Sequence, residues 1–283
     1  MAGRIVVGTA GWSAREWYPA GLPPLDRLSW YAQRFEGVEG DSTFYALPSR
    51  RTVARWAAIT PPAFTFDIKL HRLLSRHAAP LSSLPTDLRP EAEVNERGRV
   101  ILTPELEAAM CRRTWQTVEP LHAAGKLSSF LLQLTPAFNP AEHQLTELEP
   151  VLDAFAPVPV AIELRHRDWL RDPDKTLDWF RSAGASFVCV DAPAVDAPIV
   201  LPPFDAVTRD DLAYLRAHGR NAHGYLRGRT AGARFEWDYS DDELRELADR
   251  VRKLARAAAN VRFIFGNGGQ AMAAARRARE ILA

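Results

Sequence analysis

Glu163 and Arg165 stand two residues apart in the aliphatic run VAIELRH, residues 160–166. Alternate side chains of a strand share a face, so these two charges point the same way with Ala161, while Ile162 and Leu164 point the other way. A strand this aliphatic is expected to be covered on both sides, and its charges are best accommodated at the open mouth of a barrel. The same spacing joins Arg216 to His218 and Asp67 to Lys69. A forked guanidinium, Arg165 or Arg216, binds phosphate or carboxylate through paired hydrogen bonds. A carboxylate, with Glu163 the first choice, serves as general acid or base, and Lys69 or His218 completes the proton transfer.

Such residues need strands to present them. Short apolar runs predict strands over 4–9, 37–41, 64–69, 128–134, 160–166, 187–191, 212–219 and 262–267. Helical periodicity predicts helices over 24–35, from the Ser49 cap to Pro61, over 104–124, 142–155, 173–183 and 241–258, and from Gly268 to Leu282. The first of these is expected to bury Leu25, Leu28, Tyr31, Ala32 and Phe35. Eight strands alternating with helices predict one α/β domain over residues 1–283, a closed parallel (β/α)8 TIM-type barrel. An open doubly wound sheet is the runner-up, but no GxGxxG follows the first strand and there is no P-loop. The irregular stretch 70–102, with His71, Arg72, Arg76 and His77, has the length of a lid over the mouth.

Closing the barrel gathers the strand ends at its C-terminal rim. Glu163, Lys69, His218, Asp191 and Glu39 are the candidate acid–base groups there. Arg165, Arg216, Gln133, Asp41 and Asn267, with the aromatic rings of Trp12, Trp169 and Tyr45, are the candidates to hold substrate. Gly268 and Gly269, opening the last helix, could add backbone donors to an anion. Glu39, Asp41, Glu163, Asp191 and His218 are also the ligand types of an oxygen–nitrogen metal site. Lys69, Arg165 and Arg216 offset those carboxylates without a metal, so no cofactor is expected and a divalent metal is the lesser alternative. The competing structural reading is a buried ion-pair network, Glu163 with Arg216, that only closes the barrel. Trp17 and Phe44 read as core aromatics, Cys189 as a small core residue, and Arg276, Arg277 and Arg279 as a solvated helix face. His166 has the opposite parity to Glu163 and reads equally as a surface, supporting or catalytic histidine.

A chain of 283 residues, 47% hydrophobic, can bury a large core, and its formal charge of +1 exerts no global pull on nucleic acid or membrane. Anion binding must therefore be local. Cys111 and Cys189 suggest neither a disulfide framework nor a thiolate zinc site. The first residues enter a strand without an apolar signal core and no later run spans a bilayer, so a cytoplasmic protein without membrane partners is expected.

Taken in order, the motifs GTAGWS (8–13), VEGDSTFYALP (38–48), FTFDIKLHR (64–72), FLLQLTPAF (130–138), AIELRHRDW (161–169), VCVDAP (188–193), YLRAHGRN (214–221) and FGNGG (265–269) resemble the YecE-like proteins, also called domain of unknown function 72. The resemblance runs almost end to end. It implies a TIM-type barrel related in architecture to sugar isomerases and the endonuclease IV group, with its site at the polar strand ends and no established reaction. Two positions depart from the family pattern. Asp41 stands where an asparagine is usual and adds a negative charge to the rim; Gly266 stands where the first of two asparagines is usual and removes an amide. Residues and resemblance together lead to an enzyme handling a small anionic ligand, such as phosphate or a sugar phosphate, with phosphoester hydrolysis the first reaction to test. The alternatives are a non-catalytic binder of a nucleotide or of single-stranded nucleic acid, and a metal-dependent phosphodiesterase like the endonuclease IV group.

Overall fold

The eight apolar runs form eight strands, and in a computed structural model describing residues 2–228 and 234–283 every strand pairing is parallel. They are β1 (Arg4–Thr9), β2 (Gly37–Gly40), β3 (Thr65–Lys69), β4 (Leu127–Gln133), β5 (Val160–Glu163), β6 (Ser186–Asp191), β7 (Leu212–Ala217) and β8 (Asn260–Phe265). Their order around the sheet is β1-β8-β7-β6-β5-β4-β3-β2. The last gap is spanned by a bridge between Ala10 and Glu39, where the Gly11 amide donates to the Glu39 carbonyl at 2.8 Å. The result is a nearly closed TIM-type barrel.

Outside the strands run α1 (Arg27–Ala32), α2 (Arg50–Ile59), α3 (Pro104–Ala123), α4 (Glu149–Phe155), α5 (Pro173–Ser182), α6 (Ala222–Arg227), α7 (Asp241–Leu254) and α8 (Ala271–Leu282). Their starts follow from capping chemistry. Ser49, Thr103, Asp172 and Ser240 each accept a hydrogen bond from an amide of the first turn, and Pro104 and Pro173 follow their caps directly. The main apolar core lies between this helical layer and the outer face of the barrel, with Val53, Met110, Phe155, Phe180 and Leu247 meeting Phe66, Phe130 and Phe187.

Local differences from the expected elements have local causes. The Pro23–Pro24 pair opens a 3-10 turn, Pro24–Asp26, so α1 starts only at Arg27 and Leu25 stays 66% exposed instead of facing the core. Strand β5 stops at Glu163, which leaves Arg165 and His166 in the following loop. Helix α6, which sequence periodicity did not indicate, is capped by Asn221, whose side chain accepts from the Gly224 amide. The stretch 70–102 is a packed insertion: Leu70, Leu73, Leu74, Ala79 and Leu84 are buried, and antiparallel bridges join Pro80 to Arg99 and Val94 to Val100. Among its described residues, His77 alone lines the mouth cavity.

The barrel closes tightly where β1 meets β2. A Cβ on Gly37 would fall 2.6 Å from Nη2 of Arg262 and 2.7 Å from Cγ1 of Val6. Arg262 is held in place by Asp67 and Thr65. Gly37→Ala is therefore expected to cost about 2–3 kcal/mol through overpacking, read from urea unfolding; a change below about 0.5 kcal/mol, the scatter of a neutral surface substitution, would show that Arg262 yields freely.

Candidate functional site

Inside the barrel, alternation along the strands puts charges where aliphatic layers are usual. The deeper tier is centred on Arg262 of β8, which is fully buried. Its Nε donates to Asp67 Oδ2 at 2.7 Å and its Nη1 to Thr65 Oγ1 at 2.9 Å, while Ser129 donates to Asp67 Oδ1 at 2.7 Å. Asp67 is thus the partner of Arg262 and lies below the rim.

The upper tier is centred on Arg216 of β7. Its Nε and Nη2 donate to the two carboxylate oxygens of Glu39 at 3.0 and 2.7 Å, and its Nη1 donates to Glu163. Tyr214 adds a hydrogen bond to Glu39 at 3.1 Å. Arg216 therefore realises the ion pair of the structural reading, and its fork is occupied by protein carboxylates, so it is not the free anion clamp the sequence suggested. Glu163 is equally engaged. Oε1 receives Nε2 of Gln133 at 2.9 Å, Nε2 of His218 at 2.9 Å and, at a long 3.4 Å, Nη1 of Arg165.

Above this tier opens a cavity of about 370 Å3, lined by Asp41, Lys69, His77, Gln133, Arg165, Arg216 and His218 together with Trp17, Phe44, Tyr45, Arg234 and Phe235. Glu39 and Glu163 lie beneath its floor with no exposure. Lys69 donates to Asp41 Oδ1 at 2.7 Å and sits 4.5 Å over the Phe44 ring. Among the described residues, Glu163 is the sole hydrogen-bond acceptor of Arg165, whose guanidinium also lies 5.9 Å from the Phe235 ring. Arg165 thus keeps most of its donor capacity, as does Arg234, which among the described residues donates from Nε alone, to the Gly228 carbonyl at 3.1 Å. Gly268 and Ala271, at the approach to α8, complete the wall.

Burial pushes the His218 imidazole down to about 4, with Arg216 adding to the effect and Glu163 opposing it. For Glu163, burial acts to raise the carboxyl, but His218, Arg216 and Arg165 outweigh it and hold it well below the usual range. Burial raises Glu39 against the pull of Arg216 and Lys69. His77, whose Nε2 lies 3.2 Å from the Gln133 carbonyl, is lowered to about 4 by burial. At neutral pH an ionised Glu163 faces a neutral His218. The hydrogen-bond network then assigns the ring proton to Nε2, donated to Glu163, and leaves Nδ1 as the accepting nitrogen. A Cβ on Gly266 would lie 3.6 Å from that Nδ1, so the missing side chain leaves room beside it.

Other expected rim residues go elsewhere. Strand β6 turns Phe187 and Cys189 outward, against Phe180, Phe204 and the Ala206 carbonyl, and Asp191 follows the same parity. Asp191 lies outside the barrel, where it accepts from Arg220, Arg250 and Tyr239, so it anchors a loop instead of facing substrate. Trp12 packs edge-on against Trp56, and Trp169 stacks on Phe138 and donates to its carbonyl. Trp17, expected in the core, lines the cavity and donates to the Gly269 carbonyl at 2.7 Å. Asn267 is buried outside the lining and donates to the Trp237 carbonyl. His166 accepts from the Asp168 amide and does not line the cavity. Arg234 and Phe235 were not anticipated, because they lie beyond strand β7 in a segment with no strand periodicity. Among the described residues, no three His, Cys, Asp or Glu side chains are grouped as metal ligands, and no helix is long and apolar enough to cross a membrane.

Known proteins are similar to this chain. UPF0759 protein YunF of Bacillus subtilis is 25% identical over 287 residues, covering 98% of this chain and 94% of its own. UPF0759 protein YecE of Escherichia coli K12 is 37% identical over 75 residues, 26% of each chain. The crystal structure of a DUF72 family protein from Enterococcus faecalis V583 superposes with a TM-score of 0.81 at 26% identity, covering 98% of this chain and 95% of that one. The profile described as "Protein of unknown function DUF72" matches residues 6–283, and the chain belongs to that family.

Proposed function

We propose that this barrel is an enzyme acting on a small anionic substrate by general acid–base chemistry at its C-terminal mouth. The observation that carries the reading is the 2.9 Å contact of His218 Nε2 with Glu163, on an imidazole that lines the cavity. A carboxylate so placed fixes the tautomer and orientation of the ring and stabilises the imidazolium that forms when Nδ1 takes a proton. Glu163 is in this reading a positioning residue, and His218 is the group that moves the proton. Arg165, with its unused donors, holds the anion. Phosphoester hydrolysis is the first reaction to test, since nothing beyond proton transfer and anion stabilisation is then asked of the site.

The test pairs binding with turnover. A screen of phosphate, sugar phosphates, nucleotides and short oligonucleotides is expected to find an anion that raises the melting temperature of the wild type by mass action. Arg165→Ala should weaken that ligand about 10- to 100-fold, the worth of charge-assisted hydrogen bonds. His218→Gln should keep the ligand-induced shift and lose turnover about 10²-fold. Binding that survives in every variant without turnover in the wild type would favour the non-catalytic binder, to which the full engagement of Glu163 by four donors also points.

A further inference from the structure

The mouth holds one carboxylate that the ionic tiers do not absorb. Asp41 stands at the start of the 3-10 turn Asp41–Phe44 that follows β2, and both it and Lys69 line the cavity. Lys69 donates to Oδ1 of Asp41 at 2.7 Å, with side-chain exposures of 8% and 31% respectively. Among the described residues Oδ2 of Asp41 has no hydrogen-bond donor. On the Lys69 side, the cavity therefore presents a cation already neutralised and a carboxylate oxygen with spare acceptor capacity. Arg165 brings the opposite chemistry, a guanidinium with spare donors.

We infer that Asp41 sets the specificity of this cavity, selecting a substrate with one anionic end, held by Arg165, and one hydroxyl-bearing end, held by Asp41: a sugar or polyol monophosphate. The inference rests on the anion-binding reading above and narrows it. A hydroxyl donates to the open carboxylate oxygen, whereas a second phosphate there meets a like charge in a partly desolvated wall and finds Lys69 engaged. A volume of about 370 Å3 suits a ligand of that size.

The experiment compares fructose 6-phosphate with fructose 1,6-bisphosphate by calorimetric titration of the full chain. The wild type should bind the monophosphate at least tenfold more tightly. Asp41→Asn keeps the shape, removes the charge and frees Lys69, so the preference should move at least tenfold toward the bisphosphate; Asp41→Ser should move it the same way if the amide itself perturbs the turn. A wild type that prefers the bisphosphate, or a preference unchanged in both variants, overturns the selection while leaving the anion site standing, provided Arg165→Ala still weakens both ligands. If neither sugar phosphate binds the wild type or any variant, the anion site and the selection fall together.

Discussion

Arg216→Met is expected to destabilise the barrel by about 3–5 kcal/mol, the usual consequence of removing one member of a buried charge cluster. The reason lies in what remains. Among the described residues, Glu39 loses both forked hydrogen bonds and keeps Tyr214 alone, and Glu163 loses its closest partner, yet both carboxylates stay sealed from water. Arg216→Lys should recover part of the loss, because an ammonium supplies charge without the planar fork that spans two carboxylates. The cleanest check is a cycle. Neutralising the acids as well, in Arg216→Met with Glu39→Gln and Glu163→Gln, should restore stability relative to Arg216→Met alone, since the uncompensated charges are then gone. A loss below about 1 kcal/mol in urea unfolding of Arg216→Met, the size of an exposed ion pair, would mean that water reaches the tier.

Stability should fall steeply as the pH is lowered from about 6.5 to about 4. His71 and His218 are both pushed down to about 4 by burial, whereas an unfolded histidine takes its proton near 6.5. Between those values the unfolded chain binds more protons than the folded one, so stability rises with pH across the window and is lost as the pH drops through it. Each of these two buried rings contributes about 3 kcal/mol. His77 is shifted the same way but is only half-buried and contributes less. Glu39 and Asp67 act oppositely, because burial raises them and the folded state then holds their protons to higher pH. Together the two deep histidines should remove about 6 kcal/mol between pH 6.5 and 4, a large share of a total stability of about 5–15 kcal/mol. Urea midpoints measured from pH 7 to 4.5 should decline throughout, and His71→Met should remove one proton's share of the slope. A flat profile would show that the rings take up their protons as readily in the folded protein as in the unfolded chain.

The strand alternation that reveals the barrel also reveals its ionic interior, but only where one face of the strand is unambiguous. On β3 and β7 the polar residues fall on one parity, Asp67 with Lys69 and Arg216 after Tyr214, and these all point into the barrel. On β6 both parities are apolar, Phe187 and Cys189 against Val188 and Val190, so nothing in the sequence says that Asp191 ends an outward row. Residues beyond the strand ends follow turn geometry rather than alternation. This is why Trp12 and Trp17, five positions apart in one loop, exchange the places expected of them, and why Phe235 could not be located. Partnering is also hidden from sequence: the types and spacing of Arg216 and Glu163 do not show that the guanidinium fork is already filled by Glu39.

The register of the β1–β8 ladder bears on how the chain is made. β1 pairs with β8 from Arg4–Asn260 to Thr9–Phe265, so the first strand completes its ladder with residues about 250 positions later. At translation rates of about 5–20 residues per second, β1 waits of the order of ten seconds or more for that partner, with one edge bare. Loop closure over such a span is entropically slow, and a bare parallel edge is a template for other nascent chains. Pairing with β8 is thus the last strand pairing that synthesis makes possible, and until then the β1 edge is open to other chains.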